Sequence, residues 1–200
     1  TNYGTRCRSL GRKHVRGFAI FAHMSAPHIW KLCDWWNMDK KLERSNADKV
    51  LRRLTNQIKA LGFMRTKPTF WVREREHLVQ FIHIHKYTFG PFFRIHTCVR
   101  PLNSKLEFVA LFGPIEQELN GAAKFEYTEE PSSIEKCASA MSLFISTCSE
   151  EWYSTLGTST ALLSSESVLD VQEQMSLQES LDGKSKTSNI ERTRLLLKIA

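Results

Sequence analysis

The sequence predicts an α+β fold, in which an antiparallel meander of about four or five strands is packed by one helix before it and a long helix after it. Hydrophobic residues recur every three or four positions from Ala47 to Leu61 and again from Ile134 to Trp152, which is helical spacing. Between these segments, short runs rich in β-branched and aromatic residues alternate apolar with polar side chains, as strands do. With 200 residues, 42% of them hydrophobic, the chain is long enough for one packed domain.

The first helix is expected to begin at Ser45 and to end before Gly62. Ser45 and Asp48 are spaced as in a capping box, and a glycine is a typical residue just after a helix. The side of this helix that faces away from the apolar positions carries Lys49, Arg52, Arg53 and Lys59.

Three runs predict the meander: residues 69–73, 77–86 and 92–99, with weaker strands at 106–111 and 124–128. Charged residues 74–76 and the pair Gly90-Pro91 mark the turns. The alternation also predicts which side chains face the core, because side chains point to opposite faces in turn. The predicted core face consists of Leu78, Ile82, Ile84, Phe93, Ile95 and Val99.

The second half is expected to be helical. Ser132 and Glu135 form a possible capping box, and the apolar spacing that follows predicts a long core helix from Ser133 to Tyr153. Residues 164–180 predict a short helix and a loose connection, and residues 190–199 a docking helix.

Residues 1–37 differ in character from the rest. Five basic residues precede a mostly apolar stretch of six, which is shorter than the ~7–15 residues of a signal-peptide core. A clean amphipathic pattern begins after Met38. We therefore interpret residues 1–37 as a basic extension translated from upstream of a start at Met38, with a segment whose tryptophans cap the core as the alternative. Residues 38–200 are expected to form a single α+β domain with a looser helical region at its end.

Cysteine usage and hydropathy indicate the compartment. The five cysteines include no Cys-x-x-Cys pair and are not densely spaced, unlike those of a secreted disulfide scaffold. We therefore expect a reducing, cytoplasmic environment. No apolar run approaches the ~20 residues that a transmembrane helix needs, so no membrane span is expected.

Charge is distributed unevenly along the chain. The net charge is +7, yet residues 38–105 carry 15 basic and five acidic side chains, whereas residues 106–200 carry seven basic and 15 acidic ones. Such a pattern is expected for a polyanion-binding surface or for two oppositely charged faces of one domain, and we favour the second. The candidate polyanion-binding residues are Lys49, Arg52, Arg53, Arg65, Lys67, Arg73 and Arg75.

Three histidines are the candidate metal ligands. In the predicted register, His83, His85 and His96 share the sheet face opposite the core. A His-x-His strand beside a third histidine is an arrangement that a catalytic zinc ion uses, with its fourth position open to water. Against zinc, no carboxylate on these strands can orient the imidazoles, and Arg94 shares their face. We therefore expect no cofactor, with zinc as the alternative.

The middle of the chain resembles a known family. The resemblance is carried by Leu61-Gly62-Phe63, Thr69-Phe70-Trp71, Leu78-Val79-Gln80-Phe81 and Phe92-Phe93-Arg94-Ile95, and later by the helix at Ser133, Trp152 and Leu162-Leu163. In this order of elements, residues 38–200 are similar to the bacterial domain of unknown function 4304. The resemblance implies a bacterial, cytoplasmic α+β protein with no assigned reaction, and with amide side chains in place of His83 and His85.

These observations favour a small non-enzymatic interaction domain that binds a protein partner. One alternative is nucleic-acid binding through the basic residues, whose affinity should fall steeply with salt. The other is a metal-dependent enzyme that uses the three histidines. The sequence contains none of the usual signatures of nucleotide-binding loops, zinc proteases or α/β-hydrolases.

Overall fold

The computed structural model describes residues 27–88, 90–121 and 124–199, with side chains from residue 40 onwards. It divides into two compact units, residues 1–39 and residues 40–200. The expectation for the extension at residues 1–37 falls mostly outside the described residues and stays a prediction. All that follows on packing concerns the second unit.

Five strands form one antiparallel sheet in the order β1-β2-β3-β4-β5, and the predicted α+β fold with its meander is confirmed. The strands are β1 (Met64–Lys67), β2 (Phe70–Glu74), β3 (Leu78–Lys86), β4 (Phe92–Pro101) and β5 (Phe125–Glu126). The helices are α1 (Pro27–Ile58), α2 (Glu116–Asn120), α3 (Pro131–Phe144), α4 (Glu150–Thr155), α5 (Ser159–Leu162), α6 (Val171–Leu181) and α7 (Thr187–Leu197).

Helix α1 begins well before the predicted start at Ser45, which lies exposed within it. The capping prediction is wrong because the Asp48 carboxylate forms ion pairs with Arg52 and Arg65 and no helix-breaking residue lies between Pro27 and Ile58. The predicted end is confirmed: a 3-10 turn follows, and Gly62 caps it at φ 85°. Within the described residues no helix, α1 included, is both long and apolar enough to cross a membrane.

The sheet differs from prediction at two places. Strand β1 is absent from the prediction because its sequence, Met-Arg-Thr-Lys, does not alternate; pairing with β2 makes it a strand. Residues 106–111 are not a strand, and the chain instead touches β4 further on, through single bridges from Phe112 to Val99 and from Ile115 to His96. In the segment 106–111, backbone carbonyls of Leu106 and Phe108 accept hydrogen bonds from Arg100.

The inner face of the sheet packs against α1 and α3 and forms the main core, as the alternation predicts. All six predicted core-face residues belong to this core. The remaining large members include Val50, Leu54, Ile58, Trp71, Ile134, Met141, Phe144 and Trp152.

The long helix predicted in the second half exists, with two differences. It begins at Pro131, because proline is favoured in the first turn, so the predicted cap Ser132 lies inside the helix and does not cap it. A π turn at Ile145–Ser149 separates α3 from α4. The extra residue in this turn lets Phe144 and Ile145 both face the core before the helix resumes.

Helix α7 packs on the outer face of the sheet. There Leu197 is fully buried with Val72, Val79, Phe81, Cys98 and Leu102. Glu74 and Arg100, on the same face, bind Arg194 and Thr193 of α7. The helix thus covers the part of the outer face formed by the end of β2, the start of β3 and the end of β4.

Candidate binding surface on the sheet

The other part of the outer face carries aromatic and basic side chains that are half-buried or exposed. We call this group the outer row. It consists of Lys67, Phe70, His83, His85, Tyr87, Phe92, Arg94 and His96.

Strand pairing brings the outer row together. Phe70 lies opposite His83, His83 opposite His96, and His85 opposite Arg94. Because alternate residues on a strand point to the same face, these positions continue the line that begins under α7 with Val79, Phe81 and Cys98. The same alternation that buries one end therefore presents polar and aromatic groups at the other.

Across the strands, the rings of the outer row contact one another in series. The Phe70 ring lies with its centroid 4.5 Å from that of His83, and His83 lies 5.7 Å from His96. The Lys67 Nζ is 5.0 Å from the centroid of the Phe70 ring. These distances are those of favourable aromatic and cation–π contacts, so the rings hold one another in place.

A second group of contacts surrounds Tyr87 at the hairpin end of β3. Its ring centroid lies 4.3 Å from Phe92 and 5.7 Å from His85, and the Arg94 guanidinium carbon lies 5.2 Å from it. The outer row thus consists of two adjoining aromatic groups, each with a cation beside it.

The imidazoles of the two central histidines are kept neutral. Burial, followed by the neighbouring His96, His85 and Lys67, lowers the pKa of His83 to about 4. Burial and then Arg94 lower the pKa of His96. The buried Nδ1 of His83 has no hydrogen-bond partner among the described residues. Near neutral pH the pair therefore presents uncharged aromatic rings.

The predicted metal ligands lie on one face as expected, but not around one point. His83 and His96 are direct neighbours, whereas His85 turns towards Tyr87. In the described part of the chain, no group of three or more His, Cys, Asp and Glu side chains is placed to hold a metal ion. Zinc binding stays a prediction.

The predicted polyanion-binding residues of α1 are mostly engaged by polar groups of the same unit. The Lys49 Nζ donates to Asn46, Arg52 pairs with Asp48 at 2.7 Å, and Arg53 pairs with Glu135 at 2.7 Å. These contacts leave less positive charge on that helix face than the sequence suggests.

The predicted basic residues of the strands have separate environments. Arg65 donates to the Pro68 carbonyl and lies over the Trp71 ring. Arg73 is buried, whereas Arg75 is exposed in the turn after β2. Of the seven candidates, only Lys67 lies in the outer row, where burial and the nearby Lys198 lower its pKa.

Phe70 and Tyr87 are the members of the outer row that the sequence analysis missed. The sequence placed the three histidines, Phe92 and Arg94 on the free face, but Phe70 and Tyr87 were not counted as a surface. Aromatic side chains at polar positions of an alternating pattern are the signal that could have identified them.

The outer row can bind flat, unsaturated groups and negative charge. Rings stack on planar ligands, and Lys67, Arg94 and Lys198 attract anions. Comparisons of this chain with family models, curated proteins and solved structures find no match.

Proposed function

We propose that this chain is a binding domain whose outer row binds single-stranded nucleic acid. The observation that carries the proposal is the series of contacts Lys67, Phe70, His83 and His96. Single-stranded nucleic acids are bound where aromatic side chains stack on unpaired bases and cations follow the phosphates. The outer row combines both on the open part of a sheet face.

The extent of the outer row suits two or three nucleotides. From His83 to Tyr87 the strand advances about 13 Å, since each residue adds about 3.3 Å. The two aromatic groups at the ends of this distance offer separate stacking positions.

The test is fluorescence anisotropy of the full chain with a labelled, uridine-rich RNA heptamer at low salt. We expect Phe70→Ala and Tyr87→Ala each to weaken binding about tenfold, because stacking contributes about 1–3 kcal/mol per base. Phe108→Ala is the matched control, since this ring is 61% exposed and lies outside the outer row. Lys67→Ala should also weaken binding, whereas Lys136→Ala on α3 should not.

Two results would overturn the proposal. One is the absence of RNA and DNA binding at low salt by a chain whose circular dichroism shows that it is folded. The other is binding that Phe108→Ala weakens as much as Tyr87→Ala does.

A protein partner at the same surface is the second candidate. Tyr, Phe and Arg side chains are enriched at protein interfaces, and Tyr87, Phe92 and Arg94 form such a group. This candidate predicts that a partner captured from the host is retained in high salt and is lost with Tyr87→Ala. A nucleic-acid ligand would be released by the same salt. Membership of the domain family 4304 and a bacterial origin remain proposals on the resemblance alone, and a cytoplasmic location remains a proposal on the resemblance and the cysteine spacing.

A further inference from the structure

A groove of about 170 Å³ adjoins the hairpin end of the outer row. One wall is aromatic and includes Tyr87 and Phe92, which are members of the outer row. The polar groups of the groove include Glu116 and Gln117 of α2 and Glu126 of β5. The residues that line the groove are Tyr87, Phe92, Phe93, Glu116, Gln117, Lys124, Phe125 and Glu126.

The two carboxylates of the groove have different roles. Glu116 is buried; its Oε2 accepts from the backbone N–H of Ile95 at 2.9 Å, and its Oε1 lies 3.6 Å from Arg94. Glu116 therefore binds two residues of β4 and has a structural role. Glu126 is exposed, and its carboxylate has no hydrogen-bond partner within the described ranges.

The position of Glu126 on β5 places it on the same face of the sheet as the outer row. Glu126 pairs with Phe92 across β4 and β5, and directly opposite residues point to the same face. Glu126 and Phe92 therefore lie on the same face of the sheet, and both line the groove. Lys124, two residues earlier, is exposed and offers a positive charge for a phosphate.

We propose that this groove binds a guanine base, with the Glu126 carboxylate accepting hydrogen bonds from the adjacent N1–H and N2 amino groups. A carboxylate offers two acceptors side by side and no donor. Guanine presents two adjacent donors on its Watson–Crick edge. Adenine and cytosine present one amino group next to a ring acceptor, and uracil presents one N–H between two carbonyl oxygens, so each of them turns an acceptor towards the carboxylate. The inference rests on the proposed function and adds base selectivity to it.

The experiment compares four uridine-rich RNA heptamers that differ only in the central base. We expect the guanine-bearing heptamer to bind about tenfold more tightly than the all-uridine one, since a good bidentate contact discriminates between bases by at least about that factor. Glu126→Gln should abolish this ratio. The ratio is the correct readout because loss of one negative charge should strengthen the binding of every heptamer alike. Glu151→Gln, at an exposed carboxylate on α4, is the matched control and should leave the ratio unchanged.

The outcomes separate the two proposals. Equal binding of all four heptamers overturns the guanine site and leaves the proposed function standing, and so does a guanine preference that survives Glu126→Gln. Failure of every heptamer to bind overturns the proposed function. Guanosine monophosphate should compete with the guanine-bearing heptamer better than uridine monophosphate does. If it binds in a Glu126-dependent manner while no heptamer binds, the groove takes the free nucleotide and the outer row does not take a strand.

Discussion

Arg73 is buried between the sheet and α4, with 6% of its side chain exposed, and its guanidinium has hydrogen-bond and ion-pair partners. Nε donates to Gln80 at 2.7 Å, Nη1 donates to the Leu61 carbonyl at 2.9 Å, and Nη2 lies 2.9 Å from the Glu150 carboxylate. Its guanidinium also packs 4.4 Å from the Phe63 ring centroid. The sequence identified Arg73 as a basic residue, but its burial depends on partners from distant segments.

Removal of this side chain should destabilise the fold strongly. We expect Arg73→Ala to lower the free energy of unfolding by about 3 kcal/mol, because the Glu150 charge and the Gln80 amide lose their partner. Urea denaturation measures the loss. Arg75→Ala, two residues along and exposed, should stay within about 0.5 kcal/mol of the wild type. Equal effects of the two substitutions would contradict this role.

The protonation of His83 should lower the stability of the folded chain as the pH falls. Its pKa in the folded chain is lowered from 6.5 to about 4, so between these values the unfolded chain binds a proton that the folded chain does not. The stability contributed by the neutral imidazole is thus present above pH 6.5 and is lost as the pH falls through 4. We expect His83→Gln to flatten the decrease of the urea midpoint over this range. An unchanged slope in His83→Gln would exclude this origin.

At the scale of elements, a helix or strand could be predicted where the sequence of the segment itself determines its conformation. Helix α3 and strands β3 and β4 carry their full periodic pattern, so their register and buried face could be read directly. Strand β1 becomes a strand only because β2 supplies its hydrogen-bond partners. The predicted start of α1 was wrong because the Asp48 carboxylate, which could belong to a helix cap, instead pairs with Arg52 one turn later and with Arg65 in β1.

The candidate surface was predictable to a similar degree. Alternation placed His83, His85 and His96 on one face, and that placement is correct. Which part of this face stays uncovered could not be read from the sequence, because it depends on where α7 packs. Local periodicity does not specify contacts between segments about 100 residues apart.

Helix α7 should be essential to stability although it is short. Leu197 is fully buried on the outer face, so we expect Leu197→Ala to lower the free energy of unfolding by about 2–5 kcal/mol. Leu195, in the same helix, is 78% exposed, and Leu195→Ala should change stability by less than about 0.5 kcal/mol. Chemical denaturation of both variants tests the difference. A small effect at Leu197 would mean that α7 is not firmly docked.

At the scale of the whole molecule, the uneven charge is partly balanced by pairs between the two halves. Arg53 pairs with Glu135, Arg73 with Glu150, Lys105 with Glu179, and Glu74 with Arg194. In three of these pairs the cation comes from residues 38–105 and the carboxylate from residues 106–200. Ion pairs between the two halves thus neutralise part of the positive charge of the first half and part of the negative charge of the second. The surface is therefore less cationic than the net charge suggests.

This balance predicts a shallow salt dependence of RNA binding. If Lys67, Arg94 and Lys198 alone meet phosphates, the logarithm of the binding constant should fall with the logarithm of salt concentration with a slope of about −2, at about −0.7 per single-strand contact. Engagement of all seven basic residues proposed from the sequence would give a slope of about −5. Titrations at several salt concentrations distinguish these values. The steeper slope would mean that RNA binds to the basic residues of α1 and the first strands and not to the outer row alone.

The position of α7 along the chain also bears on synthesis. The sheet residues that it covers, among them Val79, Phe81 and Cys98, leave the ribosome long before Leu197 does. At about 5–20 residues per second, some 100 intervening residues take about 5–20 s to add. For that time a nascent chain exposes an apolar sheet surface, and it is then that holding chaperones would have the greatest effect on the yield of folded protein.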